Sequence, residues 1–232
     1  MSIFSSIAAS YFISVIIRCI LLCMKLTKYE HACFTVEKDG QVLVIDPGNL
    51  SDDFVTPENV VAVVITHQHP DHFDAEKLAA IFAKNNAVLV LGPTDVIDKV
   101  EIENKKVVSP GEKLSVGPFD LEFFGGVHTE IHSSIPRCQN VGMMINGLLY
   151  YPGDSLNAPD RPVDVLALPA AAPWLKISEA MDFLTAARPR LAFPTHDAIL
   201  SDKGHELVDR LLGSTGERIG AEYTRLNAPL EI

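Results

Sequence analysis

The sequence predicts an α/β fold of four layers: two β-sheets packed face to face with helices on both outer sides, an αββα sandwich. The order of apolar segments carries this first, because strands come first, then strand–helix pairs, then strands again, then strand–helix pairs. The chain shows no linker composition and no repeat at a solenoid period. Its 232 residues, 47% hydrophobic and 21% charged, are enough to bury the core of one large domain.

From Met24 onward the elements read in order. "KLTKYE", "ACFTVEKDGQVLVID" and "VVAVVIT" are rich in Val, Ile, Thr and aromatics, and Asp39-Gly40 divides the second stretch as a hairpin turn. A helix near 74–84 follows, with Ala75, Leu78, Ala79 and Phe82 on one face. "AVLVLG" is a buried strand, a short helix lies near 93–100, and several strands fill 106–151. "VDVLALP" is a strand. "ISEAMDFLTAA" places Ile177, Ala180, Met181 and Leu184 on one helical face and stops before Pro189. "RLAFPT" is a strand, and 201–212 form a last helix closed by Gly213.

Residues 1–23 stand apart. They are apolar, but Arg18 interrupts them, and they lack the basic start and small-residue cleavage site of a signal peptide. They read as an over-extended start before "MKLTKY", with a membrane anchor as the competing reading. The domain expectation is therefore 1–23 as an apolar extension and 24–232 as one catalytic domain. The formal net charge of -11 argues against a nucleic-acid partner, because an acidic surface repels phosphates. The four cysteines form no CxxC pair, which points to a reducing, cytoplasmic setting.

The chemistry concentrates in "THQHPDHFD", residues 66–74, which sets three histidines and two aspartates at the mouth of a buried strand. On extended backbone His67 and His69 point the same way and can converge on one ion, while Asp71 and His72 face a second point nearby. Imidazole with carboxylate suits zinc, or manganese or iron. Asp71 has a competing role as a helix N-cap. Further metal-binding residues also follow strand-like segments: His128 after "LEFFGGV", Asp154 after "GLLYYPG" and His196 after "RLAFPT". Alone, Asp154 reads as a turn residue and His196 as a cap; together they complete a ligand set.

With "IDPG", "THQHPDH", "GGVH", "YPGDS" and "FPTHD" in this order, the chain resembles the metallo-β-lactamase superfamily over essentially all of 24–232. "MKLTKYEHACFTVE" and "YPGDS" look most like the small bacterial hydrolases related to L-ascorbate-6-phosphate lactonase. The resemblance implies an enzyme with two divalent ions, zinc first, with Mn2+ or Fe2+ as alternatives. His67, His69 and His128 would hold the first ion, Asp71, His72 and His196 the second, and Asp154 would bridge them. Asp46 would support a ligand histidine from behind, or serve as a turn residue before Pro47-Gly48, roles that are compatible. The mechanism implied is attack by a bridging hydroxide on an ester, lactone, amide or phosphoester bond of a small molecule, with Asp71 also accepting a proton. No G-x-S-x-G elbow supplies a serine nucleophile.

Departures narrow the branch. Asp154 stands where class B β-lactamases have Cys, His69 where flavodiiron proteins have Glu, and "GVHTEIH" where glyoxalase II has a GHTPG-like motif. A small-molecule hydrolase leads; a phosphodiesterase acting on nucleotides and a non-catalytic metal-dependent sensor are the alternatives. His132, four residues after His128, is expected to face substrate as a general acid or hydrogen-bond donor, against the reading of an exposed loop residue. Arg137 is a loop residue that would meet an anion or remain solvated. Trp174 and Lys176 in "AAAPWLK" would wall a pocket or simply pack. His31 would approach the site or be a satisfied strand residue, and His205 reads as surface.

Overall fold

The structure, a computed structural model, describes residues 24–232. The expectation for residues 1–23 lies outside the described residues. Among the described residues no helix is long and apolar enough to cross a membrane.

The first half forms β1 (Lys25–Lys28), β2 (Phe34–Lys38), β3 (Gln41–Ile45), β4 (Val60–Val64), helix α1 (Ala75–Lys84), β5 (Leu89–Gly92), the single turn α2 (Thr94–Ile97) and β6 (Lys105–Val107). The second forms β7 (Lys113–Val116), β8 (Phe119–Val127), β9 (Gln139–Ile145), β10 (Leu149–Tyr151), β11 (Val165–Pro169), α3 (Ile177–Ala187), β12 (Leu191–Thr195), α4 (Asp202–Ile219), β13 (Glu222–Tyr223) and β14 (Leu230–Glu231).

Two sheets result, ordered β14-β1-β2-β3-β4-β5-β6 and β13-β12-β11-β10-β9-β8-β7. Each changes from antiparallel pairs among its hairpin strands to parallel pairs, which begin across a long loop at β3–β4 and β10–β11 and continue across helices at β4–β5 and β11–β12. The last strand returns to the first sheet, pairing Lys25 with Glu231 and Leu26 with Leu230.

Strand alternation sorts the core into three layers. Leu26, Phe34, Leu43, Ile45 and Val64 meet Phe123, Met143, Tyr151, Val165 and Phe193 between the sheets. The opposite faces of the first sheet, with Val44, Val63 and Ile65, pack on Leu78 and Ile81 of α1. Leu166, Leu168 and Ala192 of the second sheet pack on Phe183 and Leu184 of α3 and Val208 and Leu212 of α4. This is the four-layer αββα sandwich. Phe34 sits edge-on to Tyr151 (5.3 Å) and Phe193 (5.9 Å) at its centre. Truncating a buried phenylalanine of this kind to alanine costs about 3–5 kcal/mol.

The helix expected near 93–100 is a single turn, Thr94–Ile97, and the last helix runs beyond its expected end. Helix α4 passes through Gly213 and Gly216 and stops at Gly220, whose φ of 75° is left-handed. A Cβ on Gly216 would come within 2.8 Å of the Ala221 carbonyl, so this glycine permits close packing rather than ending the helix. Helix α1 is capped by Asp74, whose carboxylate accepts from the backbone N–H groups of Glu76 and Lys77. Asp71 is thereby left free of the capping role.

Candidate metal centre

Strand ends deliver the site. Asp46 follows β3, β4 leads into the loop of His67, His69, Asp71 and His72, His128 follows β8, β10 leads to Asp154, and β12 to His196. Residues 66–72 are loop rather than extended strand, so His67 and His69 converge through loop curvature, with ring centroids 4.7 Å apart. That corrects the expected route but not the juxtaposition. Gly48 makes the loop possible, because a Cβ there would lie 1.8 Å from the Asp71 carbonyl oxygen. Gly153, at φ 61°, lets the chain turn beside Thr66 and Asn140 just before Asp154.

Among the described residues three groups bring ligand-type atoms within 4.8 Å of one another: His67, His69 and His128; His67, His72 and Asp154; and His31, Asp71, His72 and His196. All seven residues expected as ligands are thus brought together, and His31 joins them. His31 Nε2 lies 3.0 Å from Asp71 Oδ2. Its carbonyl accepts from the His196 backbone N–H (3.0 Å) and from the Lys28 ammonium (2.6 Å). His31, Asp46 and His196 all hold left-handed backbone, at φ 54°, 43° and 61°. Such strain in non-glycine residues collects at functional sites.

The outer ring nitrogens determine which way each imidazole faces. Nδ1–H of His72 donates to Asp46 Oδ2 (2.7 Å), that of His196 to the Ala171 carbonyl (2.7 Å), that of His128 to the Thr129 carbonyl, and that of His67 to Thr66 Oγ1 (3.1 Å). Four rings therefore turn Nε2 inward, the nitrogen an ion would take. His69 is reversed: its Nδ1 lies 3.1 Å from His67 Nε2, and its Nε2 faces Cys138 Sγ at 3.7 Å.

The inward atoms satisfy one another only in part: His67 Nε2 pairs with His69 Nδ1 (3.1 Å) and His128 Nε2 with Asp154 Oδ2 (3.2 Å). His72 Nε2 and Asp154 Oδ1 are 3.2 Å apart, and His196 Nε2 is 3.0 Å from Asp154 Oδ2. Yet His72 Nε2, Asp154 Oδ1 and His196 Nε2 are buried without a hydrogen bond. Their lone pairs aim at shared points rather than at each other. Buried polar atoms left this way are costly, and a cation at the shared points resolves the cost.

Electrostatics agree. Burial lowers the His67 pKa. Burial would lower His72 too, but the Asp154 and Asp46 carboxylates outweigh it and hold that ring well above its ordinary value. His196, against burial, is raised to about 9 by Asp154 and Asp71. Asp154, against burial, is held well below the usual carboxylate range by His72, His196 and His67. Asp154, Asp46 and Asp71 draw positive charge to the cluster, and a divalent cation would supply it while freeing the imidazoles of their protons. The nitrogen and oxygen donor set fits zinc, manganese or iron.

The supporting shell is specific. Asp46, fully buried, accepts from the Thr66 backbone (2.7 Å), Thr66 Oγ1 (2.7 Å), His72 and Tyr151 OH (2.9 Å). Asn140, also fully buried, accepts from the Asp154 backbone N–H and donates to the Pro152 carbonyl, both at 2.9 Å. Trp174 Nε1–H donates to Asp154 Oδ2 at 2.9 Å. His31 takes the first of its two expected places, at the site; the bonds of Asn140 and Trp174 were not legible in the sequence, because their partners lie 14 and 20 residues away.

Other expected residues fall elsewhere. His132 is exposed and its Nδ1 bonds Ser134 Oγ at 2.8 Å; it belongs to none of the three groups. Arg137 is exposed. Lys176 is exposed as the N-cap of α3, its backbone N–H bound by Glu179. His205 is half-buried rather than superficial, and its Nε2–H donates to the Asp197 carbonyl at 2.8 Å.

The sequence profile of the beta-lactamase superfamily domain matches residues 25–196. The chain is 37% identical over 183 residues to protein Rv0786c of Mycobacterium tuberculosis, covering 77% of this chain and 86% of that one. It is 24% identical over 194 residues to a UPF0173 metal-dependent hydrolase of Carboxydothermus hydrogenoformans, covering 75% and 84%. The fold superposes on Igni18, a metallo hydrolase from Ignicoccus hospitalis, with a TM-score of 0.71 at 21% identity, covering 90% and 98%.

Proposed function

Because this chain belongs to the beta-lactamase superfamily, we propose that it is a metal-dependent hydrolase of small molecules that works with two divalent ions, zinc first among them. The inward set of ring nitrogens carries the reading: His72 Nε2, His196 Nε2 and Asp154 Oδ1 are buried there with no hydrogen-bond partner.

His67 Nε2, His69 Nδ1 and His128 Nε2 would hold one ion. Asp71, His72 Nε2 and His196 Nε2 would hold the other, and Asp154 would serve both. His31 supports the second group through Asp71. When bound, two such ions supply an activated water and a Lewis acid for the bond being broken.

The chain's own residues do the rest. Asp46 keeps the proton of His72 on Nδ1, so that Nε2 stays bare. The Ala171 carbonyl does the same for His196. Asp71 is the open side of the cluster: its side chain is 25% exposed, whereas those of His67 and His72 are at 0%. Water and substrate therefore approach past Asp71 and the half-buried His69. Asp71 Oδ2 is held by His31, and with His196 this keeps the carboxyl, against burial, far below the usual carboxylate range; a proton that it took up as the reaction proceeds would be held only briefly. An ester, lactone, amide or phosphoester fits this chemistry.

Metal analysis of the chain purified without chelator tests the reading, with about two ions per chain expected. One ion or none after reconstitution would refute the paired site. Turnover of a lactone and ester panel against bis-p-nitrophenyl phosphate then separates a carboxylic-ester or lactone hydrolase from a phosphodiesterase.

A further inference from the structure

The loop after β11 touches the cluster at two points that come from different strands. It begins with the Ala170 N–H donating to the Thr195 carbonyl (2.9 Å). Ala172 and Leu175 form an isolated antiparallel bridge, with Leu175 N–H on the Ala172 carbonyl at 3.1 Å, which presents Pro173 and Trp174 in a tight turn. The Ala171 carbonyl takes the Nδ1 proton of His196. Trp174, only 7% exposed, gives its indole N–H to Asp154 Oδ2. One short turn thus grips His196, just after β12, and Asp154, three residues after β10.

The indole also spans the two groups of histidines. Its ring stands edge-on to His128 at 5.9 Å and to His196 at 6.2 Å. An indole N–H can only donate, so a buried one needs an acceptor, and here the acceptor is a buried carboxylate. The bond separates the two Asp154 oxygens by role. Oδ2 carries the indole and lies 3.2 Å from His128 Nε2 and 3.0 Å from His196 Nε2. Oδ1 is left without a hydrogen bond, 3.2 Å from His72 Nε2. Partial rotation of the carboxylate about its last bond would carry both oxygens off these contacts; the indole opposes that rotation.

We propose that Trp174 is a positioning residue whose indole N–H holds the Asp154 carboxylate in the one rotation that serves both halves of the site, and so determines how tightly metal is retained. The proposal rests on the paired-metal reading above, and its test distinguishes the two.

Trp174 is the single tryptophan of the chain, so an isotope-labelled sample has one indole N–H resonance. The full chain, stripped with chelator and titrated with Zn2+, is expected to show that resonance move as zinc binds. The W174F variant keeps an aromatic ring but loses the donor together with part of the indole's volume. It is expected to keep its thermal midpoint in the stripped state within a few degrees, yet to surrender zinc to a chromogenic chelator about 10- to 100-fold more readily, the range typical when an outer partner of a metal ligand is removed. Zinc uptake with an unmoved indole resonance overturns the role of Trp174 while leaving the metal reading intact, and so does a folded W174F that retains zinc as tightly as the parent. Absence of zinc uptake by the unmodified chain overturns the metal reading and this proposal together. The resonance is read on the unmodified protein, so it decides the question even where W174F does not fold.

Discussion

His72 and Asp46 are both wholly buried, and the imidazole Nδ1–H donates to the carboxylate Oδ2 across 2.7 Å. The pair joins the end of β3 to the loop after β4, and it leaves His72 with only one nitrogen to offer the interior. Replacing Asp46 by Asn keeps the shape but removes the charge and presents an amide that can donate. D46N is expected to weaken metal binding about 10- to 100-fold, measured by competition with a chromogenic chelator. Unchanged affinity would show that the tautomer of His72 is held by something else.

Asp154 is the residue shared between the groups, within 3.2 Å of His72, His128 and His196. D154A is expected to lower bound metal, read by plasma emission, and to cut turnover by about 100-fold or more, since several kcal/mol of transition-state stabilisation depend on the ions. Full turnover in this variant would remove Asp154 from the shared role.

His31 contributes through its ring and through its left-handed backbone, and two substitutions separate these contributions. Asn tolerates left-handed backbone better than Ala does. H31N is expected to keep the thermal midpoint nearer that of the parent than H31A. Both should hold one ion normally and the second about 10-fold or more weakly. Two ions held with parental affinity in both variants would reduce His31 to a structural turn residue.

The stripped chain should lose stability as pH rises. His196 has its folded pKa raised to about 9, above the roughly 6.5 of an unfolded histidine. Its contribution is therefore fully present below about pH 6.5 and disappears as pH climbs through about 9. His72 is shifted in the same direction. Thermal melts of chelator-treated protein from pH 6 to pH 10 should show the midpoint falling, and metal should abolish the fall. A flat profile without metal would mean that the carboxylates do not hold those protons.

His132 is exposed and bonded to Ser134, so H132A is expected to leave metal content unchanged and stability within about 0.5 kcal/mol. A rate change with intact metal would give it a part in handling substrate; loss of metal would make it a ligand.

Much of the site could be read because its residues are contiguous or end apolar runs. His67, His69, Asp71 and His72 sit within one loop, and His128, Asp154 and His196 each follow a strand whose apolar run is plain in the sequence. The helix end at Gly220 was missed because Gly213 looks like a stop, whereas the chain uses its glycines for close approach to the Ala221–Tyr223 segment. Asp74 and Asp71 could both cap α1 on residue type alone, and only the observed hydrogen bonds assign the cap to Asp74.

The sequence by itself determined the layers and the strand ends, because apolar periodicity is a local property and states which face of each element is buried. Which atoms turn inward at those ends was decided by tertiary structure. The orientation of His72, His196 and Asp154 depends on Asp46, the Ala171 carbonyl and Trp174, each brought there from 20 or more residues away. No local pattern encodes such a hydrogen bond, because it forms only once both sheets have packed and water has left the space between them.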